Sequence, residues 1–186
     1  MKLLFLDTET TGLTKDHAVI QIAGIVDVDG EVKEKFNLHA APQPADLIND
    51  QALQIQNITR DTLATYPTAF TTYGAIKRIC DKYIDKYNKL DKFILAGQNC
   101  KFDYDMMESF FLKCGDKYWH SYVAYHVVDL VACTALLKLA GRINPANAKL
   151  STVAASLNIP LEAHDAMNDI EATRQIFYRY VDMVKK

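Results

Sequence analysis

The N-terminal part of the chain alternates between apolar runs and turn residues, which is a pattern typical of β-strands. Lys2–Thr8 is a continuous apolar run that ends in polar residues, and it predicts a buried strand. Ala18–Val28 is a second such run, and the Asp29-Gly30 dipeptide after it is of the hairpin-turn type. Polar and apolar residues alternate along Glu31–His39, so this segment predicts a third strand.

The remainder of the chain is dominated by apolar side chains at helical spacing. Such residues recur three or four positions apart in Thr68–Leu90, and they lie on one side of a helix in Phe102–Cys114. Two short apolar runs, Lys92–Ala96 and Val123–Val128, predict two more strands. The predicted helices are Asp46–Ile55, Thr59–Thr65, Thr68–Leu90, Phe102–Cys114, Asp129–Ala140, Leu150–Leu157 and Ala166–Val184.

A strand-rich hairpin followed by alternating helices and strands predicts an α/β domain, with a mixed five-stranded central sheet flanked by helices. The chain has 186 residues, which is enough to bury a full core. It contains no internal repeat, low-complexity tract or linker. We therefore expect a single domain over residues 1–186.

The composition argues against several classes of protein. Hydrophobic residues make up 49% of the chain and charged residues 24%, as in an ordinary globular protein. No apolar run approaches the roughly 20 residues that span a bilayer, and the apolar stretch at the N-terminus is too short for a signal peptide. The four cysteines form neither a CxxC pair nor a zinc-site spacing, which favours reduced thiols and a cytoplasmic location.

The first candidate site lies where the first strand ends, in the segment Asp7-Thr8-Glu9-Thr10-Thr11-Gly12-Leu13. Residues two apart in a strand point to the same face, so Asp7 and Glu9 converge. Two close carboxylates are unfavourable unless a cation lies between them, and oxygen ligands suit Mg²⁺ or Mn²⁺. Two solvated acids at the end of a strand are the structural alternative.

A second candidate segment, Asn99 to Met107, follows the Lys92–Ala96 strand and opens a helix. An acid at this point would lie at the carboxyl end of a sheet strand, where open α/β sheets bind ligands. Asp103 and Asp105 both qualify. Either could instead be a first-turn acid that complements the helix dipole.

A third candidate segment, from His164 to Asp169, opens the last predicted helix. Asp165 is a reasonable N-cap for that helix, and Asp169 lies about one turn inside it. The spacing predicts a base and a carboxylate on the same side of the helix start. The other histidines lack acidic partners at motif spacing, so no role is predicted for His17, His39, His120 and His126.

The three segments together point to one chemistry. Two-metal phosphoryl hydrolysis requires several carboxylates from separate strands and helices, and the cations stabilise both the attacking and the leaving oxygens. A nearby histidine can remove the proton of the attacking water.

In these segments the chain resembles the DnaQ-like exonucleases of the DEDDh class, a family that includes the proofreading epsilon subunit of bacterial replicative polymerase, oligoribonuclease and ribonuclease T. The family's D-x-E-T-T-G string matches Asp7 to Gly12, and its N-x-x-F-D string matches Asn99 to Asp103, which favours Asp103 over Asp105. Its H-x4-D string matches His164 to Asp169. Asp129 resembles the family's aspartate that opens a later helix, where it would be a structural cap.

The resemblance implies a ribonuclease H-like fold and 3′→5′ cleavage that releases nucleoside 5′-monophosphates with two divalent cations, Mg²⁺ or Mn²⁺. Asp7 would bridge both cations. Glu9 and Asp169 would hold the cation that activates water, Asp103 would help to hold the other, and His164 would be the general base.

The resemblance also implies contacts with a nucleic-acid 3′ end. The side chains of Leu13 and Ile55 would wedge against the terminal bases. The full set of expected substrate contacts is Thr10, Gly12, Leu13, Ile55 and Asn99. Many members read His-Gly where this chain has Gln56-Asn57, which puts contacts from that turn in question.

The net charge of −2 argues against a broad basic groove, but it suits an enzyme that grips only a strand end. We expect single-stranded DNA or frayed ends as substrate, in a setting of DNA replication, repair or proofreading. The alternatives are an exoribonuclease and a catalytically silent nucleic-acid-binding module. The short segment after the last predicted helix offers no tail that could bind a polymerase, so a stand-alone enzyme is favoured. No membrane association is expected. The oligomeric state is left open.

Overall fold

The structure is a computed structural model that describes residues 1–161 and 166–185. It contains a mixed sheet with the strand order β3-β2-β1-β4-β5, which confirms the predicted fold class. The five strands of this sheet are β1 (Lys2–Thr10), β2 (Val19–Val28), β3 (Glu31–His39), β4 (Phe93–Gly97) and β5 (Val123–Asp129).

Strand β1 lies at the centre of the sheet. It pairs with β2 in antiparallel and with β4 in parallel, and β4 pairs with β5 in parallel. The predicted turn between β2 and β3 is confirmed: Asp29 has φ 55° and Gly30 has φ 89°. Successive residues with positive φ form the two-residue hairpin turn that matches the twist of the strands.

Helices cover both faces of the sheet. They are α1 (Asp50–Ile55), α2 (Arg60–Ala64), α3 (Ala69–Tyr83), α4 (Cys100–Lys113), α5 (Trp119–Tyr122), α6 (Leu130–Leu139), α7 (Leu150–Ser156) and α8 (Ala166–Val184). Each predicted helix is present, and α5 was not predicted. Its four residues are too few to show a helical period.

The predicted continuation of α3 to Leu90 is wrong, because the helix ends at Tyr83. Beyond it, the carboxylate of Asp85 accepts a hydrogen bond from Tyr87 N, and the carboxylate of Asp91 accepts one from Asp85 N. These local bonds replace the helical ones.

A local hydrogen bond to a side chain also determines where α1 begins. The helix begins at Asp50 rather than at Asp46, because the Asn49 side chain caps Gln51 N.

The two faces of β1 contribute to two separate cores. Leu4 and Leu6 pack on the side that carries α3 and α4, whereas Leu3 and Phe5 pack on the side that carries α6, α7 and α8. The alternation continues beyond Leu6, so that Asp7 and Glu9 follow the α8 side of the strand. Among the described residues, none of the helices has the length and apolar character needed to cross a membrane.

Candidate active site

The carboxylates of Asp7 and Glu9 lie at the end of β1, on the side of the strand that faces α8. Asp169 belongs to the first turn of α8, and this helix packs against β1 and β2. The fold therefore brings together two of the predicted segments that are farthest apart in the sequence.

Asp103 reaches the same end of β1 from the first turn of α4. Its side chain is only 4% exposed, and its Oδ1 accepts hydrogen bonds from Thr8 N at 2.9 Å and from Thr8 Oγ1 at 2.7 Å. Asp105 instead forms surface ion pairs with Lys101 and, at 3.7 Å, with Lys15. The structure thus places Asp103 near enough to Asp7 and Glu9 to interact with their charges, whereas Asp105 is paired with lysines instead.

The pKa values of two of these acids show that the carboxylates interact. Burial raises the pKa of Asp7 well above its usual range, and the charges of Asp103, Glu9 and Asp169 raise it further. Burial also raises the pKa of Asp103 to about 6, against the opposing effect of its hydrogen bonds from Thr8. A cation would remove this repulsion, because it favours the charged form of each carboxylate.

The donor set fits a hard divalent cation. The four acids supply only oxygen atoms, which Mg²⁺ and Mn²⁺ prefer, and the cluster has no soft ligand among the described residues. Within residues 1–161 and 166–185, no three acidic, histidine or cysteine side chains already converge as a closed ligand group.

A cavity of about 220 Å³ lies beside the cluster. Glu9, Gln21 and Asp169 border it, and the turn between α1 and α2, residues 55–58, forms another part of its wall. The side chain of Ile55 lines the cavity and is 79% exposed. Its apolar surface is therefore available to a ligand that enters the cavity.

Gln56 and Asn57 lie in the turn where many DnaQ-like exonucleases have a His-Gly pair. Asn57 has φ 53°, a left-handed conformation that glycine adopts freely and that asparagine tolerates better than most residues. Gln56 Nε2 donates to Thr10 O at 2.9 Å and so ties the turn to the end of β1. The backbone at Asn57 is therefore one that glycine could also adopt.

The loop after β1 is held by internal hydrogen bonds. Thr10 is buried, and its hydroxyl donates to Gly12 O at 2.6 Å. A side chain at Gly12 would lie 2.1 Å from the His17 ring, which requires glycine there. Leu13 beyond it is 84% exposed.

Asn99 occupies the turn between β4 and α4. It has φ 57° and an exposed side chain, and its N–H donates to Asp129 Oδ1 at 3.2 Å. Asp129 also accepts from Val131 N at 2.8 Å, which confirms its predicted role as the cap of α6. Asp129 thereby holds the Asn99 turn and the start of α6 together.

Some predicted residues lie outside the part of the chain that the structure describes. These are His164, the predicted general base, and Asp165, the predicted N-cap of α8. The other predicted site residues, from β1, the α1–α2 turn, the start of α4 and the start of α8, are all described.

Sequence reasoning missed three polar contacts. Thr8 anchors Asp103, and Gln56 braces the loop after β1. His120, for which no role was predicted, contacts an acid on another element: its Nε2 lies 2.7 Å from Glu108 Oε1. Glu108 and His120 come from α4 and α5, so no spacing within a single segment could have revealed the pair.

The model of the exonuclease family designated RNase_T matches residues 4–177. The chain is 26% identical over 184 residues to PolC-type DNA polymerase III of Thermotoga petrophila and of Thermotoga maritima. The match covers 97% of this chain but spans only 12% of the length of each polymerase.

Solved structures of Exonuclease I share the fold. The E. coli enzyme in complex with a dA16 oligonucleotide has a TM-score of 0.78 at 21% identity, covering 97% of this chain and 40% of that one. The zinc-bound form of its complex with single-stranded DNA has a TM-score of 0.81 at 20% identity, and the match covers 99% of this chain and 42% of that one. Exonuclease I of Methylocaldum szegediense has a TM-score of 0.78 at 21% identity, and the match covers 97% of this chain and 40% of that one.

Proposed function

Because this chain belongs to the RNase_T exonuclease family, we propose that it is a metal-dependent 3′→5′ exonuclease that releases nucleoside 5′-monophosphates. One observation carries the proposal: Asp7, Glu9, Asp103 and Asp169 interact at the end of β1, although they come from three separate elements. Acids so close together are unfavourable without a cation, and their convergence from three elements is what two-metal hydrolysis requires.

In this proposal, each carboxylate has a separate task. Asp7 would be a ligand shared by two divalent cations, Mg²⁺ or Mn²⁺; Glu9 and Asp169 would help to hold one of them, and Asp103 would help to hold the other. When bound, the two ions would stabilise the attacking and the leaving oxygens of the phosphodiester. The Thr8 hydrogen bonds fix one oxygen of Asp103, which leaves the other oxygen for a cation.

His164 is the proposed general base. It takes the proton of the attacking water in its neutral form, and it releases that proton to solvent afterwards. The motif spacing to Asp169 supports this assignment.

Single-stranded DNA, or a frayed duplex end, is the proposed substrate. Leu13 and Ile55 are large apolar side chains with 84% and 79% of their surface exposed, and unstacked terminal bases would cover them. The E. coli Exonuclease I structures are complexes with a dA16 oligonucleotide and with single-stranded DNA, which favours DNA over RNA as the substrate. The PolC-type relatives are polymerases, so association with a polymerase belongs to the same proposal.

Digestion of labelled strands tests the function. Single-stranded DNA, duplex DNA and RNA, each labelled at the 5′ end, are incubated with Mg²⁺, with Mn²⁺ or with EDTA. We expect a ladder that shortens from the 3′ end of single-stranded DNA with either metal, and no cleavage in EDTA. Release of the 5′ label as a mononucleotide before any ladder forms, full activity in EDTA, or faster digestion of RNA would each contradict one part of the proposal.

A further inference from the structure

The two proposed base contacts of the candidate site lie on different segments of the chain. Leu13 belongs to the loop after β1, residues 11–18, and Ile55 is the last residue of α1. Residues 40–49 lead directly into α1, and we call them the pre-α1 segment. The spacing between the two apolar side chains therefore depends on how the loop and the pre-α1 segment are joined.

Hydrogen bonds join the loop after β1 to the pre-α1 segment along their length. Leu47 N donates to Asp16 O at 2.9 Å, and Asn49 N donates to Thr11 O at 2.9 Å. The hydroxyl of Thr11, a fully buried residue, donates to Leu47 O at 2.6 Å. These bonds set the register of the two segments relative to each other.

Lys113, the last residue of α4, contacts both of these segments at once. Its Nζ donates to His17 O at 2.8 Å and to Asp46 Oδ1 at 2.6 Å. The Asp46 side chain is only 6% exposed, and its other carboxylate oxygen accepts a hydrogen bond from Gln43 N at 2.8 Å. A carboxylate so enclosed is unfavourable without its cation, so Lys113 holds both segments against α4.

This ion pair is remote from the proposed cation ligands. Lys113 lies about 15 Å along the axis of α4 from Asp103, which is in the first turn of the helix. Loss of the pair would therefore shift the two base-contacting side chains, while the carboxylate cluster keeps its arrangement. A change that weakens binding without altering the chemical step raises KM and leaves kcat unchanged.

We propose that Lys113 is a positioning residue for the substrate: its ion pair with Asp46 fixes the spacing between the two base-contacting side chains, and that spacing sets the affinity for a strand end. The inference rests on the proposed exonuclease function. It concerns the binding of the strand, since Lys113 itself is assigned no contact with the substrate or with a cation.

Lys2, the first residue of β1, provides a matched control at the other end of the strand. Its Nζ also donates to a main-chain carbonyl, Tyr83 O, at 2.7 Å and to a carboxylate, Asp91 Oδ1, at 2.5 Å. The side chains of Lys2 and Lys113 are 30% and 27% exposed. The two lysines thus make the same kinds of contact, but the Lys2 pair holds neither of the base-contacting segments.

The test measures kcat and KM with Mg²⁺ on two substrates. One is 5′-labelled single-stranded DNA, and the other is the p-nitrophenyl ester of thymidine 5′-monophosphate, which has a single base and thus no second base to be held. The variants are Lys113→Met combined with Asp46→Asn, and Lys2→Met combined with Asp91→Asn. Each double variant removes both charges of its pair, so no buried charge is left unpaired and both proteins should fold.

We expect the Lys113 double variant to raise KM for DNA about 3- to 10-fold, the effect of a lost hydrogen bond. Its kcat on DNA and its kcat/KM on the ester should stay within about twofold of wild type. The Lys2 double variant should change none of these constants by more than about twofold. An unchanged KM for DNA, an equal loss on the ester, or the same rise in the Lys2 double variant overturns the inference.

Failure of the proposed function is distinguishable in the same experiment. Wild type that releases no mononucleotide from DNA with Mg²⁺ or Mn²⁺ overturns the exonuclease assignment, and the inference with it. Wild type that digests DNA, together with a Lys113 double variant that has the wild-type KM, overturns the inference alone.

Discussion

Asp103 and Asp105 lie two positions apart on α4, yet their surroundings differ. Asp103 is buried and receives two hydrogen bonds from Thr8, whereas Asp105 is paired with surface lysines. The pair therefore provides a matched comparison between a proposed cation ligand and an ordinary surface acid.

Asp103→Ala should lower kcat/KM on single-stranded DNA by about 10³-fold or more, because a cation ligand contributes several kcal/mol to the stabilisation of the transition state. Asp105→Ala should change it by less than about threefold, since its ion pairs are exposed. This prediction is checked by measuring the rate of mononucleotide release for both variants. Circular dichroism of both variants first shows that they are folded. An inactive Asp105→Ala beside an active Asp103→Ala would reverse the assignment of the second motif.

The raised pKa values of Asp7 and Asp103 predict an unusual dependence of stability on pH in the metal-free protein. The folded state binds these protons more tightly than the unfolded chain does, because the pKa of an unfolded aspartate is about 3.9. Stability from these groups is therefore present below that value and is lost as the pH rises through the folded pKa, which is about 6 for Asp103.

Urea denaturation in EDTA, at pH values from about 4.5 to about 7.5, measures this effect. The free energy of unfolding of wild type, relative to that of Asp7→Asn, should decrease across this range. The difference between the two proteins isolates the cluster from the other titrating groups. Saturating Mg²⁺ should abolish the decrease, and a relative stability that rises with pH would contradict the structure.

His164→Ala tests the proposed base, which lies outside the described residues. Loss of a general base lowers the rate by roughly 10²- to 10⁴-fold, while cation and substrate binding should persist because His164 is not a proposed ligand. A pH–rate profile at saturating Mg²⁺ should show an acid limb in wild type that flattens in the variant. A variant with the full rate and the same acid limb would exclude His164 as the base.

At the scale of elements, the register of α8 decides where Asp169 lies, and a buried ion pair holds that register. Asp27 on β2 is fully buried, and its carboxylate accepts from Arg174 Nε at 2.8 Å and from Tyr178 Oη at 2.9 Å. Both donors are on α8, beyond Asp169. The β2–β3 hairpin thus anchors the helix that carries one of the candidate ligands.

Arg174→Leu should lower the free energy of unfolding by about 3–5 kcal/mol, because it leaves the Asp27 charge buried without its cation. The matched control is Lys35→Ala, which removes an exposed ion pair between β3 and Glu171 of α8 and should cost less than about 1 kcal/mol. Urea denaturation of the two variants gives both values. Equal losses would mean that the buried pair has no special role in anchoring α8.

The sequence predicted the elements where local signals and tertiary packing agree. The apolar run of β1 and the Asp29-Gly30 turn are examples, since each depends on neighbouring residues alone. The end of α3 was missed because the carboxylates of Asp85 and Asp91 compete for main-chain N–H groups, which an apolar period does not reveal.

The candidate site was predictable as a set of residue types, but its internal contacts were not. The motif spacings placed Asp7, Glu9 and Asp169 on facing elements. They could not show that Thr8 would hold Asp103, or that Gln56 would turn its oxygen away from Thr10, because these bonds join segments far apart in the chain.

At the scale of the whole molecule, binding of divalent cations should stabilise the fold, because the carboxylates cluster only in the folded state. A ligand at 100 times its dissociation constant adds about 2.7 kcal/mol, which raises Tm by roughly 5–10 °C for a chain of this size. Thermal unfolding of wild type with Mg²⁺, Mn²⁺ or Ca²⁺ should show this rise in Tm. The double variant that carries both Asp7→Ala and Asp103→Ala should show no such rise. Ca²⁺ should stabilise without supporting turnover, because its coordination is too flexible for the two-metal reaction. An equal rise in the double variant would place the cations elsewhere.

The central position of β1 has a consequence for synthesis of the protein. This strand is synthesised before its neighbour β4, which begins at Phe93, and before α8, which packs beside it and begins at Ala166. A nascent chain that lacks α8 also lacks Asp169, and its β1 has no finished core to join. The candidate carboxylates therefore come together only after α8 has been synthesised, so that unfinished copies of the domain lack the complete set of proposed cation ligands.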